Sequence, residues 1–260
     1  MNFICQNSAI TELQTLAKAD RHSILIEGAE GSGKSYLAMQ YAQMLGIGDF
    51  QQVVPKVDVL KETIDACLQL NTPVVLCIEN LDIGVAGAAY VLLKFLEEPL
   101  PNTYIVVTCR NINNVPDTIV SRSAVVVTSP PVELDISTYA MSKNADRFRE
   151  LKDTRLWECV RTFKDADRVL NMNSIHIDYF NGLESTAQFR DTVSNLVWKI
   201  SHYTDNSETP VDLVIRYLMN LINTTHIKKA GIECMRDLSQ GRVAAHAVLA
   251  RFVFEAKYCE

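Results

Sequence analysis

Gly28-Ala29-Glu30-Gly31-Ser32-Gly33-Lys34-Ser35 is where residue types and spacing point most directly to chemistry. The pattern Gly-x-x-x-x-Gly-Lys-Ser lets the backbone curl around an anion. Gly28, Gly31 and Gly33 permit the turn, and the loop amides, that of Ser32 among them, face phosphate oxygens. Lys34 reaches the terminal phosphates of a nucleotide, ATP being the expected one, and the Ser35 hydroxyl is a ligand for Mg²⁺. A helix that opens at Lys34 adds the favourable field of its N-terminus. The alternative is a glycine-rich turn that holds no ligand.

A second candidate group follows the apolar run Val74-Val75-Leu76-Cys77-Ile78, which ends in Glu79-Asn80. A nucleotide-hydrolysing site of this kind usually ends that strand in an Asp for the metal and a Glu that polarises water. Glu79 can hold Mg²⁺ directly or through water, with one methylene more than Asp. Asn80 cannot accept a proton, so hydrolysis is expected to be slow or absent unless Asp82 takes the role. The expectation is a chain that binds ATP better than it turns it over.

These residues need elements to place them. Ser23 to Glu27 reads as a buried strand that stops at Gly28, and a helix covers about Lys34 to Leu45. Gln51 to Val54 reads as a short strand, and Val57, Leu60, Ile64 and Leu68 share one helix face. Val74 to Ile78 reads as a strand, Ala86 to Glu97 as a helix stopped by Pro99, and Tyr104 to Val107 and Val125 to Val127 as strands. Strands and helices alternating in units of this length predict an α/β fold, a doubly wound parallel sheet with helices on both faces. The pattern changes at Ser129-Pro130-Pro131. Helical periodicity then dominates at Arg147 to Phe163, Ala166 to Met172, Ala187 to His202, Val211 to Ile222 and Gln240 to Ala256, with a polar loop from Tyr203 to Pro210. The second half is expected to be all-α.

Composition limits the rest. The chain has 260 residues, 48% hydrophobic and 22% charged, which excludes disorder and fibrous repeats and leaves room for two or three domains. Its longest runs without a charge, Ser35 to Gly48 and Ala66 to Ile78, fall short of the roughly 20 apolar residues that span a bilayer. No membrane partner is expected. The start, Met1 to Cys5, carries no basic stretch ahead of an apolar one, so a cytoplasmic location is expected. Net charge is −6, with 13 acidic and 8 basic side chains in residues 1–130. Affinity for nucleic acid depends on clustered cations, so any DNA contact must be shared with partners. The seven cysteines are scattered without Cys-x-x-Cys spacing and read as reduced thiols. His22, His176, His202, His226 and His246 show no ligand spacing, and Trp157 and Trp198 read as core residues.

Two further motifs carry a resemblance: Leu92-Leu93-Lys94-Phe95-Leu96-Glu97-Glu98-Pro99, and Thr118-Ile119-Val120-Ser121-Arg122-Ser123 before the last strand. With the Gly28 to Ser35 loop, over about residues 3 to 130, the chain resembles the AAA+ subunits of sliding-clamp loaders, the gamma/tau and delta-prime subunits of bacterial DNA polymerase III. Their signatures are Leu-Leu-Lys-x-Leu-Glu-Glu-Pro and Ser-Arg-Cys. The resemblance implies a P-loop AAA+ domain over residues 1–130, a small helical lid over 131–182 and a helical collar over 183–260. It implies ATP with Mg²⁺ as cofactors, other clamp-loader subunits in a pentameric ring, a sliding clamp, and primed DNA reached through the assembly.

Residue by residue, the resemblance makes Arg122 an arginine finger for the neighbouring subunit's ATP, with a permanently charged guanidinium as the physical basis. The alternative is a surface arginine at a strand start. Ser123 stands where the family usually has Cys. Thr108 or Asn111 would be the phosphate sensor at the end of the fourth strand, although Cys109-Arg110 there looks more like delta-prime than gamma. Lys164 of Lys164-Asp165-Ala166 takes the place of a second sensor, or is an exposed lysine that starts a helix. Gly46 to Lys56 leaves no room for the four-cysteine zinc module of many bacterial members, and the short length suits a phage or a reduced genome. Residues 83–90 open a helix that faces DNA in clamp loaders. Their small side chains fit phosphate contact through amides and close helix packing equally. The C-terminal apolar stripes from Val211 and Val243 read mostly as bundle core, with some exposed part as a ring interface. Other readings are another AAA+ branch, such as a helicase loader or a DNA-repair switch, and a replisome scaffold with ATP as a structural ligand. A P-loop small-molecule kinase fits least.

Overall fold

The computed structural model describes residues 4–67, 72–84, 86–98, 102–172, 211–222, 225–240 and 243–258. The chain divides into two compact units, one of Met1–Ile136 with Thr162–Lys164, the other of Ser137–Arg161 with Asp165–Glu260.

In the first unit the β-branched runs form five parallel strands: β1 (Ser23–Glu27), β2 (Asp49–Val53), β3 (Val74–Ile78), β4 (Thr103–Cys109) and β5 (Ala124–Val127). Their order is β2-β3-β4-β1-β5. The register sets Glu27 opposite Cys109 and Ile24 opposite Ala124. A strand that is apolar at every position has to be covered on both faces, and β3 is buried throughout. Odd and even residues accordingly enter different cores. Ile24, Ile26, Val75, Cys77 and Val106 pack with α1 (Asn7–Lys18) and α2 (Lys34–Met44) through Leu13, Leu37, Ala38 and Tyr41. Leu25, Leu76, Ile78, Ile105 and Val107 pack with α3 (Val57–Cys67), α4 (Ala86–Glu97) and α5 (Asp117–Val120) through Leu60, Leu92, Phe95 and Ile119. This is the doubly wound α/β architecture expected from the sequence. Helix α1 has no counterpart among the expected elements, and the second strand begins two residues earlier than expected. The Gly28 loop leaves the carboxyl end of β1 and Glu79-Asn80 that of β3, with β4 between them, at the edge of the sheet where folds of this type present their ligand sites.

The second unit is helical among the described residues. The single helix expected over Arg147 to Phe163 is instead α7 (Ala145–Leu151) and α8 (Arg155–Glu158), after α6 (Glu133–Lys143) and before α9 (Phe163–Leu170). A polar cap accounts for the break: the side chain of Thr154 accepts from the Trp157 amide at 3.3 Å and starts α8, while Asn144, accepting from the Arg147 amide at 3.1 Å, starts α7 ahead of the expected span. Ser/Thr/Asn side chains satisfy N-terminal amides and so start helices. Trp157 is buried against Phe148, as expected of a core residue. The helix expected over Gln240 to Ala256 begins later, as Ala245–Tyr258, and Gln240 is instead the last residue of a preceding helix, Thr225–Gln240.

Those two pack with the helix Val211–Ile222, whose Val211, Val214, Ile215 and Leu218 are buried as the stripe predicts. A Cβ on Gly231 would come within 2.2 Å of the Met219 sulfur, so the close approach there depends on glycine. In the other stripe Val248 and Phe252 are buried and Val243 is exposed. Arg216 holds Asp165 through two bonds of 2.8 and 2.9 Å and Asp212 at 2.6 Å, which ties α9 to the Val211 helix. The expected helix Ala187 to His202, the polar loop after it, Trp198, His176, His202 and the 182/183 boundary lie outside the described residues.

Candidate nucleotide site

The loop from Gly28 to Gly33 joins β1 to α2. The Gly28 amide donates to the Cys109 carbonyl at 3.1 Å, which continues the β1–β4 ladder by one bond. A Cβ on Gly28 would sit 1.8 Å from Thr128 Oγ1, so this position has room for glycine alone. Gly31 and Gly33 have φ of +73° and +93°, the left-handed region that turns loop amides toward one centre. Ser32 is buried, and its hydroxyl bonds that of Thr128 at 2.9 Å. Gln6, fully buried, donates from Nε2 to the Ser32 carbonyl at 2.6 Å, and its Oε1 is buried with no partner among the described residues. Neither Thr128 nor Gln6 was apparent in the sequence, since they reach the loop from 96 and 26 residues away.

Lys34 is buried, and its ammonium donates to the carbonyls of Gly28 and Ala29 at 2.8 and 2.9 Å. Burial, and then the nearby Arg110 charge, push its pKa below the usual lysine value. The Ser35 hydroxyl donates to Glu79 Oε1 at 2.9 Å, so the two expected metal ligands stand together. Gln52 of β2, missed in the sequence, donates to the same oxygen at 3.1 Å. Asn80 adopts a left-handed conformation at φ 49°, and its amide donates to Thr108 Oγ1 at 2.9 Å. Thr108 is buried, with its hydroxyl given to this tie between β3 and β4. Asp82 accepts from the Asn111 amide at 3.3 Å, and its Oδ1 is buried without a partner among the described residues.

Lys164 belongs to the Thr162–Lys164 segment of the first unit, which lies on the loop. The Phe163 amide donates to the Gly31 carbonyl at 3.3 Å, and Lys164 pairs with Glu30. Glu30 also pairs with Arg110 at 2.8 Å.

Arg122 stands elsewhere. It precedes β5, whose Ala124 is level with Ile24, so it lies at the amino end of β1 while the loop lies at the carboxyl end. Five residues of strand at roughly 3.3 Å each separate the two by about 16 Å. Its side chain is partly exposed, held by Glu97 and the Thr118 carbonyl, each at 2.9 Å. Ser123 bonds Ser23 at 2.8 Å. At the start of α4 the small residues serve packing: Ala88 is buried, and a Cβ on Gly84 or Gly87 would come 2.8 Å from Pro55 or 3.0 Å from Val57. Tyr90 beside them is exposed. His22 stacks on Tyr104 at 4.3 Å and bonds the Thr103 carbonyl, a structural role. Among the described residues no group of three or more His, Cys, Asp or Glu is placed to hold a metal ion, and no helix is long and apolar enough to cross a membrane.

The strand order, the two-sided cover and the glycine loop after β1 define a doubly wound parallel α/β domain with a phosphate-type loop. In sequence, residues 51–131 match the model of a family described as DNA polymerase III, delta subunit. That segment spans Glu79-Asn80, the Leu92 to Pro99 motif and Arg122, and begins after the Gly28 to Ser35 loop. In structure, the chain is similar to a DNA polymerase III gamma subunit-related protein from Thermotoga maritima. The TM-score is 0.56 at 18% identity, over 94% of this chain and 98% of that one. Curated protein sequences yield no match. The clamp-loader-like resemblance drawn from the motifs therefore holds in sequence over residues 51–131 and in fold over nearly the whole chain.

Proposed function

We propose that this chain is an ATP-binding AAA+ subunit of a DNA polymerase III clamp loader, of the delta-prime type, working in the cytoplasm. The observation that carries the reading is the opposed placement of loop and finger. Arg122 is too far from its own Gly28 to Ser35 loop to serve it, and it is solvent-accessible at the other end of the sheet, where a neighbouring subunit's ATP would meet it. Releasing it from Glu97 breaks one exposed ion pair, worth at most about 1 kcal/mol.

ATP with Mg²⁺ fits the residues present. Gly31 and Gly33 have the φ that an anion cradle needs, and Ser35 and Glu79 offer two hard oxygens to a cation that takes its remaining ligands from water and phosphate. Bound there, the cation would neutralise phosphate charge. Lys34 would orient the terminal phosphates, while Asn80 has no basic oxygen with which to take a proton from water. Binding with little turnover follows, and the chain acts as a stator that supplies Arg122 to an adjacent ATPase. Residues 1–130 would be the AAA+ domain, 131–182 the lid and 183–260 the collar of a pentameric ring that places a sliding clamp on primed DNA.

Purified protein should bind ATP in a Lys34-dependent manner, hydrolyse it far below one per second alone, and co-assemble with clamp-loader ATPase subunits whose turnover needs Arg122. Vigorous hydrolysis by the isolated chain, or a homo-hexamer in ATP, would assign it to another AAA+ branch. The scaffold reading is favoured by Asn80 and by the Thr162–Lys164 segment on the loop. It predicts that Lys34→Ala lowers thermal stability in ATP and changes no rate in the assembly.

A further inference from the structure

We propose that Ser23 is a positioning residue for Arg122: its hydroxyl, bonded to that of Ser123, fixes the point at which the finger leaves the sheet. The inference rests on the finger reading above.

The root of the finger comes first. Ser123 follows Arg122 and stands one residue before β5, and its Oγ lies 2.8 Å from Ser23 Oγ. The register pairs Ile24 with Ala124, so this bond adds one more rung to the β1–β5 ladder at its amino end. Side chains make that rung because the Ser123 amide is turned the other way, to the Val120 carbonyl at 3.2 Å. The Arg122 amide likewise donates to the Ile119 carbonyl at 3.1 Å. Residues 121–123 are thus held by α5, a helix of only four residues, on one side and by the Ser23 hydroxyl on the other.

Ser23 is a firm anchor for this purpose. It is the first residue of β1, level with Ile105 of β4, and the three residues after it, Ile24, Leu25 and Ile26, are fully buried. By contrast β5 is an edge strand of four residues with β1 as its one neighbour. A short strand with a single ladder has few backbone bonds to hold it, so the side-chain bonds at its ends weigh more. There is one at each end, Ser23 with Ser123 and, at 2.9 Å, Ser32 with Thr128.

The tip of the finger behaves differently from its root. Its guanidinium donates to Glu97 and to the Thr118 carbonyl, each at 2.9 Å, and it exchanges these acceptors for phosphate oxygens on reaching a neighbouring nucleotide. The root contacts stay in place through that exchange. The geometry that Arg122 carries into an assembly is therefore the geometry of its root. A misplacement of about 1 Å costs up to about a hundredfold in rate, and the long arginine stem absorbs part of it, so about tenfold is expected here.

The test uses Ser23→Ala, Ser23→Thr, Ser123→Ala and Arg122→Ala in the full chain, with thermal melts as folding controls. In the chain alone, amide exchange over residues 121–124 should be about fivefold faster in Ser23→Ala and in Ser123→Ala, the effect of one hydrogen bond, and near wild type in Ser23→Thr. In complexes reconstituted with clamp-loader ATPase subunits, both alanine variants should lower kcat at the neighbouring site about tenfold with KM within about twofold, and Ser23→Thr should recover most of the loss. A folded Ser23→Ala chain with wild-type exchange or wild-type kcat, or a loss that Ser23→Thr does not recover, overturns the proposal, while a large loss in Arg122→Ala leaves the finger reading standing. Wild-type turnover with Arg122→Ala fails the finger reading and takes this inference with it.

Discussion

Gly28 shows how much of the site depends on single atoms. A methyl there would meet the Thr128 hydroxyl at 1.8 Å and the Ser32 hydroxyl at 2.9 Å, inside a region where Ser32 and Thr128 are both buried. Gly28→Ala should therefore cost roughly 1–3 kcal/mol of stability through overpacking and weaken ATP binding, with partial recovery in the Gly28→Ala/Thr128→Ala double variant. Denaturant titration of the four proteins measures the coupling, and a double variant no better than the single one would remove Thr128 from the explanation. Motif spacing made the loop residues legible one by one. Thr128, Gln6, Gln52 and Arg110 were not assigned to the site, because each comes from a different strand end or helix and carries no spacing relative to Gly28.

At the scale of elements, the central strands hold thiols at buried positions. Cys77 of β3 and Cys109 of β4 are fully buried, and burial raises both pKa values from 9.0 to about 12. Cys159 and Cys234 in the helical unit rise to about 11 for the same reason. The unfolded chain thus loses these protons near pH 9 while the folded chain keeps them. The stabilisation is complete below pH 9 and is lost as pH rises from 9 toward the folded values, at up to about 1.4 kcal/mol per pH unit for each thiol. Unfolding free energy should fall steeply from pH 9 to 10.5, and a Cys77→Ala/Cys109→Ala protein, though less stable at pH 8, should show a shallower slope. Equal slopes in the two proteins would rule out this origin. Strand assignment was most accurate where burial is two-sided, as in β1 and β3. Helix boundaries were less legible because Thr154 interrupts a continuous apolar period by capping, an effect of one hydrogen bond.

For the whole molecule, the separation of Arg122 from the loop predicts a division between stability and assembly function. Arg122→Ala removes one exposed pair with Glu97, so unfolding free energy should change by less than about 1 kcal/mol. If Arg122 is the finger we propose, turnover at the neighbouring site in a reconstituted complex should fall by roughly a thousandfold. Steady-state ATPase beside a denaturation curve checks both, and a variant that unfolds or leaves turnover intact would contradict the division.

The amino-acid sequence by itself determined the α/β class, the order of strands and helices in residues 23 to 128, the phosphate-type loop, and the motifs that resemble clamp-loader subunits. Each is written in local period or spacing, which neighbouring residues enforce without help from the rest of the chain. Only the tertiary structure decided that Ser35, Glu79 and Gln52 share one oxygen, that Arg110 and Lys164 meet on Glu30, and that Arg122 faces away from its own loop. Those relations depend on strand order and register, and these come from how two hydrophobic faces of one sheet are covered at once, a property that no single segment carries.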